Sequence, residues 1–298
     1  GKYYKLTSNI RLNESGASEP QQWIASNSEY QAIVFQGYLE GDGKKISGLY
    51  IQVGEESQDY YAGLFNHLGD GATIRNVGIV EADIAVNSAI THEWGATFAG
   101  ALAGYVDNES TVTIVGCYAD DTVSITAKVL DSSFAGRSYN TGAGGLVGGA
   151  GSNNVSLLFN NCFFTGTLSC SLGNAANAFC GNTYNTDMSI VKCYTVNNTV
   201  HRVATDSMKD VYATTPAAAE SGVTILTKDQ MTGSAAQTNM PALDWDTVWS
   251  IAADGTPQLR VFDVNGQPGA VWKGGVAQEY AGGSGTEADP YQIATAEQ

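Results

Sequence analysis

The sequence predicts an all-β protein, organised as a parallel β-helix-like solenoid with a small C-terminal cap. Three observations support this prediction. The 298-residue chain has 35 glycines, 6 prolines and only 15% charged residues, a composition typical of short strands joined by tight turns. A sequence unit recurs four times. Within each copy one internal distance is nearly constant, whereas the distance between copies varies.

The first half of the unit is a short apolar segment beside glycine or alanine. Its copies are Gly63-Leu64-Phe65-Asn66, Ala101-Leu102-Ala103-Gly104, Gly145-Leu146-Val147-Gly148 and, more loosely, Ala178-Phe179-Cys180-Gly181. The second half is a strand-like segment, at 73–77, 113–117, 158–162 and 189–193. The second residues of the first halves lie 38, 44 and 33 residues apart, but only 10, 12, 13 and 11 residues separate each from the following second half. Stacked repeats require such a fixed core with variable connections.

Alignment of the second halves predicts two buried columns of side chains. The columns are Ile74, Ile114, Phe159 and Ile190, and Val77, Cys117, Cys162 and Cys193. Three of the five cysteines therefore occupy equivalent positions, where we expect small buried apolar side chains and no metal or redox chemistry. The sequence is compatible with a disulfide between Cys170 and Cys180 and also with two free thiols.

We divide the chain into three parts: a repeat domain at 1–215, a capping segment with a short helix and strands at 216–268, and a tail or the start of a further module at 269–298. Thr227 and Gln230 have the spacing of a helix capping box. We expect this helix, with Trp245 and Trp249, to cover the open end of the solenoid, because the ends of stacked repeats must be covered.

The tail repeats the same signal. Thr295 and Gln298 again have capping-box spacing, so we expect 295–298 to form the first turn of another helix. We also expect residues 271–298 to pack on the N-terminal edge of a β-helix, either this one or a neighbour's.

Several segments resemble the GLUG-motif repeat proteins. They are FQGYLEGDGKKISGLYI at 35–51, AGLF at 62–65 and ATIRNVGI at 72–79. KYYKLTSNIRL at 2–12 is similar to the strand that precedes this motif, and TKDQM, WDTVW and TPQLR at 227–231, 245–249 and 256–260 are similar to its closing segment. The resemblance implies a right-handed parallel β-helix-like solenoid in a bacterial secreted or cell-surface protein of adhesin-like type. It carries no catalytic signature.

Charge and motifs exclude several classes of function. A formal net charge of -16 disfavours nucleic acids and anionic lipid surfaces as partners. No apolar run reaches the roughly 20 residues that span a bilayer, so we expect no membrane insertion in this segment. GAGGLVGGAG at 142–151 lacks the lysine of a phosphate loop, and we expect no cofactor and no metal. The chain is expected to be a monomer or a tandem module of a longer secreted or surface protein.

Two groups of residues are candidates for a binding surface. His92, Glu93 and Trp94 form a polar-aromatic cluster inside the long insertion at 84–98. Tyr60 and Tyr61 could provide aromatic platforms for glycans or proteins. His67, in contrast, follows the first Leu-Phe pair, and we expect it to be solvated.

Carboxylates are the other polar candidates. Glu81 and Asp83 are expected on the same side of one strand, and Asp120 adjoins Asp121. Paired carboxylates on an exposed face would act as acid and base or as calcium ligands. The turns at 40–43 and 263–266 begin like calcium loops but lack the closing glutamate, so we expect tight turns there.

These observations favour a non-catalytic extracellular or cell-surface adhesion module that displays variable loops at 84–98 and 121–142 to host or matrix glycans or proteins. The alternatives are a β-helix carbohydrate-active enzyme, either a polysaccharide lyase or a hydrolase, and a purely structural stalk. A groove with two or three carboxylates and a basic residue would favour catalysis. An exposed aromatic patch on the loops would favour binding, and a uniformly polar surface would favour the stalk.

Overall fold

The computed structural model describes residues 1–23, 34–54, 59–89, 95–130, 141–171, 175–183, 186–200, 207–215, 221–262 and 269–298. Of these residues 47% lie in strands and 5% in helices, so the predicted all-β class is confirmed. Within these ranges, no helix has the length and apolar composition needed to cross a membrane.

Most strands belong to four sheets, here called sheets A to D, and are numbered in chain order. Sheet A contains β1 (Tyr3–Leu6), β2 (Ile10–Arg11), β4 (Tyr38–Ser47), β8 (Thr73–Val80), β12 (Thr111–Val115), β13 (Tyr118–Ala119), β17 (Ser156–Asn160), β18 (Phe163–Phe164), β22 (Asp187–Val191), β23 (Tyr194–Thr195), β24 (Ser207–Lys209), β25 (Val211–Ala213), β26 (Val223–Ile225) and β29 (Tyr291–Ile293). Sheet B contains β6 (Tyr60–Ala62), β10 (Thr97–Gly100), β15 (Thr141–Gly144) and β20 (Ala176–Asn177).

The other two sheets have the same organisation. Sheet C contains β3 (Val34–Phe35), β7 (Phe65–Leu68), β11 (Ala103–Val106), β16 (Val147–Ala150) and β21 (Cys180–Thr183). Sheet D contains β5 (Tyr50–Gly54), β9 (Asp83–Ser88), β14 (Ser124–Val129) and β19 (Thr167–Cys170). The capping segment adds the antiparallel hairpin β27 (Trp249–Ile251) and β28 (Pro257–Leu259), the helix α1 (Gly233–Asn239) and 3₁₀ helices at Asp229–Met231 and Arg260–Phe262.

The chain enters the sheets in the order A, D, B and C, and then repeats that order. Strands β4, β5, β6 and β7 make the first passage, and β8, β9, β10 and β11 make the second. Each ladder between these passages is parallel, as in β5 with β9 and β6 with β10. Strands of one repeat therefore pair with the equivalent strands of the next.

The two predicted columns are confirmed by the register of sheet A. Ile114 pairs with Ile74 and Phe159, and Phe159 pairs with Ile190. Cys117, Cys162 and Cys193 precede the paired residues of β13, β18 and β23, and all three are fully buried. No disulfide forms among the described residues, so the open Cys170–Cys180 pairing is not made.

The predicted boundaries of the two long insertions are wrong. The range 84–98 contains most of β9, and 121–142 contains all of β14. The connections themselves are 89–96 and 130–140, and each joins sheet D to sheet B. The equivalent connections in the other repeats are 55–59 and 171–175. Alternating apolar residues in β9 and β14 satisfy the strand period, but the segments lack the recurring motif that marked the other strands.

Glycine lets sheets B and C approach each other directly. Gly104, Gly148 and Gly181 occupy one column of sheet C, next to the paired residues of β11, β16 and β21. A Cβ at Gly148 would lie 2.5 Å from Gly104 O and 2.6 Å from Ala99 N. Backbone therefore packs on backbone here, which requires residues without a side chain. This contact explains Gly142, Gly144 and Gly148 of the glycine-rich run at 142–151.

A corner of sheet A requires one left-handed residue in each repeat. Asn76, Gly116, Asn161, Lys192 and Asp210 each immediately precede a residue of the Val77-Cys117-Cys162-Cys193 column or its continuation, and have φ values of 55°, 63°, 51°, 53° and 58°. Asparagine and glycine tolerate this conformation best. The corner separates β12 from β13, β17 from β18, β22 from β23 and β24 from β25, whereas Asn76 lies inside the continuous strand β8.

The capping segment packs on the outward face of sheet A, whereas the sequence predicted that it would cover the open end of a solenoid. The predicted capping box is confirmed, since Gln230 N–H donates to Thr227 Oγ1 at 3.2 Å and Thr227 N–H donates to Gln230 Oε1 at 2.8 Å. Beyond it, Trp249 is fully buried in an apolar cluster separate from the main core. The cluster includes the outward column of sheet A, made of Tyr118, Phe163, Tyr194 and Tyr212. This aromatic column needs a cover, and the cap supplies it.

The tail packs on the N-terminal strand, as expected. β29 pairs in parallel with β1, with Tyr4 opposite Tyr291 and Leu6 opposite Ile293. The backbone N–H of Trp272 donates to Arg11 O at 2.8 Å, and the Trp272 ring meets the Trp23 ring edge-on at 5.5 Å. The last strand of the chain therefore extends sheet A beyond its first strand.

Candidate functional site

The two predicted tyrosines do not form exposed platforms. Tyr60 is 3% exposed and belongs to the main core, whereas Tyr61 is 8% exposed and belongs to a small cluster with Ala96 and Phe98. The alternation of a strand places these neighbours on opposite faces of sheet B. A binding role for either residue stays a prediction. His92, Glu93 and Trp94 lie outside the described residues.

His67 is buried, so its predicted solvation is wrong. Its Nδ1 is hydrogen-bonded to Asp107 Oδ1 across 2.5 Å, and its ring centroid lies 4.3 Å from that of Tyr61. Asp107 comes from the next repeat, where Tyr105 is the register partner of His67. Burial, with nearby Asp107 and Cys180, raises the pKa of Tyr105 to about 12. Aromatic rings from two repeats therefore enclose the imidazole: Tyr61 comes from the same repeat as His67, and Tyr105 comes from the next repeat.

Two of the predicted carboxylate and calcium features have other geometries. Glu81 has a φ of 52° in the turn between β8 and β9, whereas Asp83 begins β9, so they do not share one strand. The segment at 40–43 is a bulge within β4, where Asp42 lies 3.1 Å from Lys5. Glu81 therefore belongs to a turn, whereas 40–43 is a strand bulge and not the predicted tight turn. The segment 263–266 lies outside the described residues.

Asp120 and Asp121, in contrast, line a cleft of about 440 Å³. Its floor is formed by the outward aromatic column, including Tyr118, Phe163 and Tyr194. One wall is formed by the β27–β28 hairpin and the 3₁₀ helix that follows it. The hairpin is fixed there because the Tyr194 hydroxyl donates to Pro257 O at 2.6 Å. The cleft is thus a product of the cap packing on sheet A.

The cleft contains carboxylates in opposite electrostatic situations. Burial raises the pKa of Asp120 above its ordinary value, and repulsion from Asp121 acts in the same direction, while Thr122 hydrogen bonds and Lys45 oppose the rise. Asp254, from the hairpin turn, accepts hydrogen bonds from Thr256 Oγ1 at 2.7 Å and Thr256 N–H at 2.9 Å. These bonds hold the pKa of Asp254 below its ordinary value. The pKa values of the two carboxyls are therefore shifted in opposite directions.

Hydrogen-bond donors and further acceptors complete the lining. Two lysines face the cleft, Lys45 from β4 and Lys228 from the cap. The neutral polar side chains are Thr165, Thr167, Asn197, Thr256 and Gln258. A ligand in this cleft would therefore meet carboxylates, ammonium groups, hydroxyls and amides along an aromatic floor. Pockets of this size accommodate small organic molecules or a few sugar units.

Sequence reasoning identified only part of this site. Asp254, Lys45, Lys228 and Gln258 were missed because they come from segments far from Asp120 in the chain. One signal was present: an aromatic residue follows each column cysteine, as in Cys117-Tyr118 and Cys162-Phe163. Neighbouring strand residues face opposite sides, so these aromatic residues must point away from the core. That pattern predicts an apolar outer face that another segment has to cover.

The cleft offers polar groups for ligand binding and two carboxyls with opposite pKa shifts. Throughout the described ranges, no three His, Cys, Asp or Glu side chains are grouped to hold a metal ion. Proton transfer requires a carboxyl that keeps its proton near a carboxylate that does not. The pKa values of Asp120 and Asp254 are shifted in the two directions that such a pair uses.

Comparison with known proteins gives no identification, since no protein-family model, no curated protein and no solved structure matches the chain. The resemblance to GLUG-motif repeat proteins therefore stays a prediction from the quoted segments.

Proposed function

We propose that the chain is a non-catalytic binding module of a secreted or cell-surface adhesin, and that it binds a neutral or amino-sugar-containing glycan in the cleft between sheet A and the cap. The observation that carries this proposal is the mixed lining of the cleft. Sugar hydroxyls both donate and accept hydrogen bonds, so they can engage Asp120, Asp254, Gln258 and the lysines together.

The charge of the cleft narrows the ligand class. Asp120, Asp121 and Asp254 outnumber Lys45 and Lys228, and the whole chain carries a net charge of -16. Uronate-rich and sulfated polysaccharides would be repelled, whereas neutral glycans would not and amino sugars would be attracted. The same argument disfavours nucleic acids as partners.

For the scaffold, we propose a right-handed parallel β-helix-like solenoid. The support is the repeated passage through sheets A, D, B and C, with parallel ladders between equivalent strands. Right-handed connection of parallel strands is the strong general rule. Such a scaffold would hold the cleft rigidly and would tolerate different lengths and sequences in the connections at 89–96 and 130–140.

The test is binding to a panel of neutral, amino-sugar and acidic glycans, followed by calorimetric titration of the glycans that bind. Asp120→Asn and Gln258→Ala should each weaken binding about tenfold, the effect of losing one well-made hydrogen bond of roughly 1.4 kcal/mol. The matched control is Asp187→Asn, which alters an exposed strand carboxylate outside the cleft. Equal affinity of all three variants would refute the cleft as the site.

A carbohydrate-active enzyme is the second candidate, because the pKa of Asp120 is raised and that of Asp254 is lowered within one cleft. In this case Asp120 would donate a proton to the leaving group and a second carboxylate would act as base or nucleophile. Release of reducing ends that is abolished by Asp120→Asn would replace the non-catalytic proposal. A structural stalk would show neither binding nor cleavage.

A further inference from the structure

A second polar depression, of about 460 Å³, lies where the chain passes from sheet A into sheet D, and we call it the groove. It is lined mainly by the segment 13–17 and by the turns at 48–50, 81–83 and 122–124. These turns precede or begin β5, β9 and β14, which belong to three consecutive passages of the chain. The groove therefore extends across several repeats.

A column of outward side chains, one from each strand of sheet D, follows the groove. Tyr50 of β5 pairs with Asp83 of β9. Ser124 of β14 pairs with Asp83 on one side and with Thr167 of β19 on the other. The next residue in each of β5, β9 and β14 is a fully buried isoleucine, so the column lies on the opposite, outward face of the sheet.

The column joins the groove to the cleft. Ser124 lines the groove, whereas its register partner Thr167 lines the cleft. The turn between β13 and β14 also contributes to both, since Asp121 lines the cleft and the next residue, Thr122, lines the groove. The groove and the cleft are therefore neighbouring parts of one surface.

Hydrogen bonds hold both sides of the groove in place. The Thr122 hydroxyl donates to Asp120 Oδ1 at 2.5 Å and accepts from Glu81 N–H at 2.6 Å, which links the turns of two repeats. On the opposite side, the buried Asn13 Nδ2 donates to Gly48 O at 2.7 Å. A surface that is already ordered loses less conformational entropy when it binds a ligand.

The spacing of the column indicates what kind of ligand could follow it. Adjacent parallel strands lie about 4.8 Å apart, so the column offers a polar group at about that interval. This interval is close to the length of one sugar unit in an extended polysaccharide. A polysaccharide laid across the strands of sheet D would therefore bring new hydroxyl groups to each strand, whereas a single terminal sugar would reach only one or two.

Charge in the groove selects the same glycan classes as the cleft. Glu14, Glu81 and Asp83 line the groove, and none of the described residues in its lining is Lys or Arg. Carboxylates accept hydrogen bonds from sugar hydroxyls and attract the ammonium group of an amino sugar. They repel uronates and sulfates, so an acidic polysaccharide would fit the groove poorly.

We propose that the groove and the cleft form one binding surface for an extended neutral or amino-sugar polysaccharide, whose chain lies across the strands of sheet D. This inference rests on the proposed glycan binding in the cleft and adds to it the length and the direction of the bound chain. The recognised unit is an internal segment of the polymer, and not its terminal sugar alone.

The experiment measures, by calorimetric titration, the affinity of the chain for β-1,4-linked glucose and glucosamine oligomers of two, four and six units. Ser124→Ala alters the groove, and Asp120→Asn alters the cleft. The matched control for the groove is Ser156→Ala, because Ser156 begins β17 as Ser124 begins β14 but lines neither depression. Urea unfolding of each variant checks that the fold is retained.

The six-unit oligomer should bind about tenfold or more tightly than the two-unit oligomer, because it adds contacts in the groove. Ser124→Ala should weaken binding of the six-unit oligomer about fivefold and change binding of the two-unit oligomer less than about twofold. Asp120→Asn should weaken binding of both oligomers, and Ser156→Ala should change neither.

Two results would overturn the continuous surface while leaving the cleft proposal in place. One is an affinity that does not depend on oligomer length although Asp120→Asn still weakens it, and the other is an equal effect of Ser124→Ala and Ser156→Ala. Absence of binding by both oligomer series would also overturn this inference, whereas the proposed function is judged by the wider glycan panel.

Discussion

The Nε1 of Trp249 donates a hydrogen bond to Oδ1 of Asn161 across 3.0 Å, which ties the cap to a corner of sheet A. Asn161 is one of the left-handed corner residues, with a φ of 51°. The same side chain therefore serves the conformation of the corner and the attachment of the cap. Because the cap forms one wall of the cleft, this bond also supports the candidate site.

Trp249→Phe should destabilise the protein by about 1 kcal/mol, the net contribution of a typical hydrogen bond, while it leaves an aromatic ring in place. Trp249→Ala should cost about 3–5 kcal/mol because it empties a fully buried site. Urea unfolding measures both values. Trp245→Phe is the matched control, since the Trp245 indole donates to Met240 O, which lies within the cap. A larger glycan-affinity loss in Trp245→Phe than in Trp249→Phe would contradict this assignment.

Gly148→Ala should destabilise the protein by about 3 kcal/mol or more, because a methyl group would collide with backbone that has no rotamer to change. Sheets B and C would have to move apart to accommodate the methyl group. Thermal or urea unfolding measures the loss. Gly275→Ala is the control, since a Cβ there meets only Glu297 Cγ at 3.8 Å, and should change stability by less than about 0.5 kcal/mol. Similar effects of the two substitutions would exclude close sheet contact.

Cys162→Val should be tolerated, with a change of less than about 1.5 kcal/mol, because valine occupies equivalent positions at Val77 and Val211 in the same column. Cys162→Leu should cost about 1–3 kcal/mol by overpacking the column. Urea midpoints distinguish the two variants. A severe loss in the valine variant would indicate that the thiol itself is needed, against the interpretation of the column as apolar packing.

Asp120→Asn should reduce the dependence of stability on pH. The folded-state pKa of Asp120 lies above its ordinary value, so its contribution to stability is greatest below the unfolded pKa and is lost as pH rises through the folded pKa. The amide cannot ionise, so this loss disappears. Urea unfolding from pH 3 to 7 checks the slope, with Asp187→Asn as control. An unchanged slope in Asp120→Asn would show that the carboxyl is solvated.

Thr256→Val should raise the pKa of Asp254 towards its ordinary value, because the hydroxyl hydrogen bond is the main cause of its lowering. The pKa shift of Asp254 is opposite in sign to that of Asp120. Stability linked to Asp254 is present above the unfolded pKa and is lost as pH falls through the folded pKa. Carboxylate NMR titration measures the shift. Thr247→Val, which removes the equivalent bond to Asp244, should leave Asp254 unchanged.

Periodic features of this fold could be predicted from the sequence, because the same residue pattern recurs in each repeat. The Ile74 and Cys117 columns and the correspondence of Phe65, Ala103, Val147 and Cys180 were all visible as aligned positions. Sheet D was missed in the two insertions, since its strands carry only alternation and no shared motif. The burial of His67 depended on Asp107 and Tyr105 of the next repeat, which no single-repeat argument includes.

The candidate site was less predictable than the scaffold because it joins segments that are distant in the chain. Asp120 was identified as one of a carboxylate pair, but its cleft exists only where the cap meets the aromatic column. The capping box at Thr227 predicted a helix, but it carried no information about the surface on which that helix packs. Placement of the cap on the side of sheet A follows from the aromatic column, whose outward orientation could have been derived from its position beside the buried cysteines.

The pairing of Tyr4 with Tyr291 makes the first and last strands of the chain immediate neighbours. Among the described strands, β29 pairs with β1 alone, and β1 also pairs with β4. Loss of β1 would therefore detach β29 from sheet A, although the two strands lie near opposite ends of the sequence.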